Sequence, residues 1–166
     1  MSTRHYRIMN ARADAMKREM AVGNTFGATA LSSYGGFWLS FAIILTPGGF
    51  EIESALVAKS EAAFLNSFGL FLMGWFIFTT ILLICTLRST VAFFFLFFTL
   101  DMAFLLLGIG YLQNNGKAPQ EGCIVAGGAF GLLAAFAAWY NALAGIADSS
   151  NRYVAHIYFS IFDHVR

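Results

Sequence analysis

The chain has little charge, little cysteine and almost no proline. Only 11% of its 166 residues are Asp, Glu, Lys or Arg, and its ten basic and nine acidic side chains nearly cancel. That balance gives no footing for nucleic acid as a partner, which calls for clustered Lys and Arg. It is also too little charge for an ordinary soluble domain. The two cysteines, Cys85 and Cys123, fall in or beside apolar runs, and no Cys/His cluster accompanies them. They read as small packing residues, not as a disulfide or a metal pair. His156 and His164 lie in the C-terminal tail and suggest no metal site either. Paired carboxylates, a phosphate-binding loop and a Ser/His/Asp grouping within the apolar runs are all missing. The chain therefore reads as a non-enzyme, with no cofactor called for. The N-terminal residues lack an apolar core, so no cleavable signal peptide is expected.

What the chain has in abundance is apolar surface. Hydrophobic residues make up 58% of it and aromatic residues 17%, with 19 phenylalanines. Lipid is the natural solvent for such a composition. The length suggests one domain, and four runs are each long enough to cross a bilayer at about 20 residues per span. They cover residues 24–46, 62–87, 89–112 and 122–147, which predicts an all-α membrane protein with four transmembrane helices. Pro47-Gly48-Gly49 ends the first span, and Glu51, Glu53, Lys59 and Glu61 make a mildly acidic loop. Thr86 to Ser89 forms a tight turn, and Gln113 to Glu121 is a polar loop with Asn-Asn-Gly turn chemistry.

Charge sets the orientation. Arg4, Arg7, Arg12, Lys17 and Arg18 precede the first span, and alternate crossings put Arg88, Arg152 and Arg166 on the same side. Only Lys59 and Lys117 are left opposite, so the positive-inside bias predicts that both termini are cytoplasmic. Residues 1–22 form a basic N-terminal segment: an interfacial helix on an anionic leaflet, an import presequence, or a solvated arm. Residues 148–166 form a polar tail whose apolar stretch is too short to span.

Several residues within the spans carry more information than their hydropathy. Thr25, Thr29, Ser32, Ser33, Gly36 and Ser40 follow helical spacing and form a small hydroxylated stripe, with Leu31, Tyr34, Trp38 and Phe41 on the other face. Such a stripe either packs on another helix or borders a polar path. The fourth span carries Gly127 and Gly131 in a Gly-x-x-x-Gly step continued by Ala134, Ala135, Ala138 and Ala142, which predicts close helix packing. Asn141, in the same span, needs a hydrogen-bond partner, and an interhelical structural bond is the first expectation. Asp101 is the one Asp, Glu, Lys or Arg inside a span. A charge at that depth costs roughly 2.5–3.5 kcal/mol on insertion scales, so it should be partnered, protonated or facing water. Two readings stay open: a structural carboxyl bonded to Asn141 or a first-helix hydroxyl, or a proton-coupling site.

Gly23-Asn-Thr-Phe-Gly-Ala-Thr-Ala30 followed by Ser32-Ser-Tyr-Gly-Gly-Phe-Trp38 resembles the signature of the acetate uptake transporter family. That family includes bacterial succinate–acetate permeases and fungal acetate and ammonia-export proteins. The similarity continues through Ala147 and looks closest to the fungal branch. The resemblance implies six transmembrane helices per subunit, assembled as a ring (a hexamer) with a pore in each subunit. This chain then corresponds to helices three to six, with no counterpart for the first two or for their Asn-Pro-Ala-Pro-Leu motif. Two residues of the family's narrow constriction map here: Tyr34 from the Ser-Tyr-Gly motif, and Leu100 after Phe97-Phe98-Thr99. The constriction's phenylalanine belongs to the first helix.

The resemblance implies transport of acetate or similar small monocarboxylates, proton-coupled or channel-like, in the plasma membrane. Protons, lipid and other copies or full-length relatives are the implied partners. A small-anion pore needs an apolar constriction with few donors, and Tyr34, Leu100, Thr99 and Asn141 suit one chemically. The alternatives are a truncated or regulatory subunit without transport of its own, or ammonium/ammonia export.

Overall fold

The computed structural model describes residues 24–146, which form helices without a strand among them. The expectations for residues 1–22 and 148–166 lie outside the described residues. The chain divides into two compact units at Phe64 and Leu65.

The first unit holds α1 (Thr25–Leu45) and α2 (Ile52–Val57). The entry to α1 is fixed by Asn24, whose side-chain oxygen accepts from the Gly27 N–H at 2.9 Å, satisfying one of the orphan donors of a helix start. Its exit comes at Thr46, which turns extended, followed by Pro47 and by Gly48 at φ +72°. Where an acidic loop was expected, α2 forms instead. Glu51 enters it in the left-handed region at φ 56°, and the Ser54 hydroxyl donates to the Glu51 carboxylate at 2.7 Å. Six residues are too few to show a helical period, so this element was not visible in the pattern.

The second unit is built from α3 (Glu61–Cys85), α4 (Val91–Leu112) and α5 (Glu121–Ile146), with a 3-10 turn at Thr86–Arg88. Side-chain caps open each helix: Ser60 Oγ accepts from Ala63 N–H at 3.0 Å, Thr90 Oγ1 from Phe93 N–H at 3.3 Å, and Gln120 Oε1 from Cys123 N–H. Together with α1, these are four helices long and apolar enough to cross a membrane. Their ends fall within a residue or two of the runs read from the sequence.

In this unit α4 lies between α3 and α5, antiparallel to both. On the α3 side, a Cβ placed on Gly69 would lie 2.8 Å from Leu112 Cγ, and one on Gly108 would lie 2.7 Å from Met73 Sδ. On the α5 side, a Cβ on Gly127 would lie 2.8 Å from Leu107 Cγ, and one on Gly110 would lie 2.9 Å from Ile124 Cδ1. Small residues thus let the backbones approach, the usual basis of helix association in lipid. Leu72, Leu82, Phe97, Ala103, Phe104 and Ala134 are buried, and the Phe68 and Tyr111 rings meet edge to face at 4.8 Å. The remaining faces carry Ile77, Ile81 and Ile84 on α3 and Leu132, Phe136 and Trp139 on α5, all more than half exposed. Apolar faces of this extent suit hydrocarbon, not water.

The α4–α5 loop is tied down by amides. Asn115 Oδ1 accepts from the N–H groups of Lys117 at 3.0 Å and Ala118 at 2.8 Å. Asn114 Nδ2 donates to Asn66 Oδ1 on α3 at 2.7 Å, and Gln120 N–H donates to the Gly110 carbonyl at 2.8 Å. Gly116, at φ +84°, takes the left-handed position of the turn.

Candidate functional site

The polar centre of the second unit is a carboxyl and a hydroxyl facing each other across α3 and α4. Asp101 is 3% exposed and lies about 15 Å along α4 from Val91, near the middle of a 22-residue helix. Its Oδ1 is 3.0 Å from Thr80 Oγ1. The same Thr80 oxygen is 2.9 Å from the Phe76 carbonyl one turn back on α3. Asn141, the partner expected from the sequence, does not bond Asp101; Thr80 takes that place. The reason is register: α3 and α4 pair from Gly69 against Leu112 and Met73 against Gly108, which brings Thr80 to the level of Asp101.

Asn141 does bond across helices, but at the start of α4. Its Nδ2 lies 3.2 Å from the Ala92 carbonyl and 2.8 Å from the Ala137 carbonyl of its own helix. Thr99 is 1% exposed, and its hydroxyl bonds back to the Phe95 and Leu96 carbonyls at 2.9 and 3.0 Å. In this unit it is a sealed, self-satisfied residue of α4 and does not join Asp101. Leu100, beside both, is half-buried.

In the first unit, Tyr34 is half-buried on α1. The hydroxyl stripe of that helix is largely self-satisfied: Thr29 donates to the Thr25 carbonyl at 2.8 Å, Ser32 to Thr29 at 3.1 Å and Ser40 to Gly36 at 2.9 Å. Back-bonding of this kind makes a threonine or serine helix acceptable to lipid.

The small-residue stripe of α5 divides in two. Gly127 is buried against Leu107, whereas Gly131 has no atom within 4 Å of where its Cβ would stand. Periodicity put both on one packing face; the contact with α4 uses only the Gly127 and Ala134 side of it.

Two surface concavities lie away from these residues. One of ≈ 550 Å³ runs along the α4–α5 loop past Gln113, Pro119 and Gln120. The other, of ≈ 410 Å³, lies between the end of α1 and α2, past Ile44, Pro47 and Ile52. Among the described residues no group of three His, Cys, Asp or Glu is placed to hold a metal ion. Two features escaped the sequence reading, the Thr80 partner of Asp101 and the Asn66–Asn114 tie. A threonine in an apolar run carries no signal of its own until the helix register is known.

Comparison with known proteins adds an independent finding. The GPR1/FUN34/yaaH family matches residues 14–161. "Acetate permease A" of Emericella nidulans is 73% identical over 145 residues, 83% of this chain and 49% of that protein. "Ammonia transport outward protein 2" of Saccharomyces cerevisiae is 48% identical over 136 residues, 82% of this chain and 46% of that protein. "Succinate-acetate/proton symporter SatP" of Escherichia coli K12 is 40% identical over 98 residues, 58% of this chain and 48% of that protein. The chain thus spans about half the length of the curated relatives it matches. No solved structure matches it.

Proposed function

Because the chain belongs to the GPR1/FUN34/yaaH family, we propose that it serves as four of the helices of a transporter for acetate or a similar small monocarboxylate. The observation that carries this reading is the 73% identity to a protein named an acetate permease, set beside four helices of membrane-spanning length and composition. On this reading the pathway is narrowed by Tyr34 and Leu100, and Asp101 accepts and releases the coupled proton. The working assembly is an oligomeric ring, a hexamer by family resemblance, in the plasma membrane. A second reading is ammonia or ammonium export, favoured by the 48% identity to an ammonia transport outward protein.

Labelled acetate, lactate and ammonium uptake separate these readings, in a version extended at its N-terminus by the two helices of a full-length relative. Acetate uptake is expected to exceed that of protein-free vesicles, with no ammonium flux. In the same version Leu100→Ala is expected to raise lactate relative to acetate by several-fold, because a smaller side chain widens an apolar constriction. An unchanged ratio, with the protein at the membrane, removes Leu100 from the pathway.

Orientation has its own test. Lys117 is exposed in the α4–α5 loop and Ser89 is exposed after the turn that follows α3. With Cys85 and Cys123 replaced, Lys117→Cys is expected to react with an impermeant thiol reagent from outside the cell, and Ser89→Cys only after permeabilisation. The reverse pattern inverts the topology and the positive-inside assignment.

A further inference from the structure

Thr80 sits between two acceptors with one proton to give. Its oxygen is 2.9 Å from the Phe76 carbonyl and 3.0 Å from Asp101 Oδ1. A carbonyl can only accept, so when Thr80 donates to Phe76 the bond to Asp101 must be donated by Asp101, and the carboxyl is neutral. When Asp101 is a carboxylate it can only accept. The Thr80 hydroxyl must then rotate to it and release Phe76, whose carbonyl keeps the backbone bond of its own helix turn. The pair therefore has two complete hydrogen-bonding states that differ by one proton, and Thr80 reports the charge of Asp101 to the α3 backbone. We propose that Thr80 is the positioning residue of a two-state proton switch with Asp101. Its place in transport rests on the reading above; the switch itself does not.

Within the second unit the surroundings isolate this pair. On α4, Tyr111 is the other titratable side chain, and it is engaged with Phe68 at 4.8 Å. On α3, Cys85 is exposed beyond Thr80 and Glu61 lies at the far end; Arg88 is exposed past the turn. On α5, Glu121 and Cys123 start the helix beside Gly110, and the exposed Tyr140 adjoins Asn141, which marks the level of Ala92. Within this unit, then, the described charged and titratable groups stand at the ends of the helices and leave Asp101 with Thr80. The second carboxyl oxygen is not sealed. Among the described residues no fully buried side-chain oxygen or nitrogen lacks a partner, and the one bond of Asp101 is at Oδ1. Oδ2 therefore keeps the small opening left to the residue. A half-turn of the carboxyl about its Cβ–Cγ bond carries the protonated oxygen from Thr80 to that opening, where it gives its proton to an entering base, the substrate carboxylate on the reading above; the products are the protonated substrate and an ionised Asp101 that accepts from the Thr80 hydroxyl.

Infrared titration of the full chain in lipid nanodiscs tests this without any transport. The carboxyl C=O band that Asp101→Asn removes identifies the residue. Thr80→Val is expected to move that band to higher wavenumber and to displace the midpoint of its pH titration by a unit or more, and Thr80→Ser is expected to return both. Thr80→Ala supplies the same reading should valine disturb the helix, as judged by circular dichroism. A band and midpoint indifferent to losing the hydroxyl overturn the switch, as does a wild-type carboxyl that never changes ionisation between pH 4 and pH 10. A chain that shows the switch while its extended version carries no acetate overturns the transport reading alone.

Discussion

Asp101→Asn is expected to reduce uptake driven by an imposed pH gradient by on the order of tenfold or more, in the version extended by two helices of a relative. Counterflow of labelled against unlabelled acetate is expected to remain measurable. The substitution keeps the size of the side chain and its capacity to bond Thr80 at 3.0 Å, but an amide cannot bind and release a proton. The cost of placing an acid in the middle of a 22-residue apolar helix is the reason to expect a role beyond packing. Intramembrane ionisable residues are expensive to insert and are found chiefly on proton, ion or substrate paths. A purely structural carboxyl predicts something else, because Asn would serve it as well. Gradient-driven uptake equal to wild type, measured against protein-free vesicles to remove simple permeation of acetic acid, would return Asp101 to the structural reading.

The number, order and approximate ends of the long apolar helices were legible because each depends on one short-range property, an uninterrupted apolar run closed by polar residues. Asn24, Ser60, Thr90 and Gln120 supply the start of each long helix and all stand at the edges of such runs. Asp101 was legible for the same reason, as a lone acid in an apolar stretch. Its partner was not. Whether Asp101 meets Thr80 or Asn141 depends on how far α3 and α5 slide along α4, and that is set by contacts such as Gly69 with Leu112 and Gly127 with Leu107. The same sliding takes Asn141 to the Ala92 carbonyl. Short-range pattern also missed α2, whose six residues are held by the left-handed Glu51 and its bond from Ser54. The family resemblance reached Tyr34 and Leu100 by motif, a kind of information that periodicity does not contain.

Gly127→Ala and Gly131→Ala are expected to have effects of opposite sign on the stability of the helix unit. Replacing glycine by alanine inside a helix is ordinarily favourable by about 1 kcal/mol, because the glycine backbone loses more freedom on folding. Gly131 is free to show that gain, since nothing stands within 4 Å of its Cβ position. At Gly127 the added carbon would stand 2.8 Å from Leu107 Cγ and 3.0 Å from the Leu107 backbone nitrogen. Rotating the leucine clears the first contact but not the second, so α4 and α5 must move apart. Overpacking of this kind costs typically 1–3 kcal/mol and outweighs the propensity gain. The position differs from Gly108, where the first atom met is the flexible Met73 sulfur and the backbone nitrogen is 3.5 Å away. Gly127→Leu enlarges the clash and is expected to separate the helix pair. Gly131→Leu is expected to leave the isolated chain folded and to weaken its self-association, since a bulky side chain there blocks only the approach of a further helix. Helicity during titration of detergent micelles with dodecyl sulfate reads the stability, and cross-linking in lipid reads the association. Equal stability of the two alanine variants would show that α4 and α5 do not meet at Gly127. Undiminished cross-linking of Gly131→Leu would show that copies of the chain associate through another face.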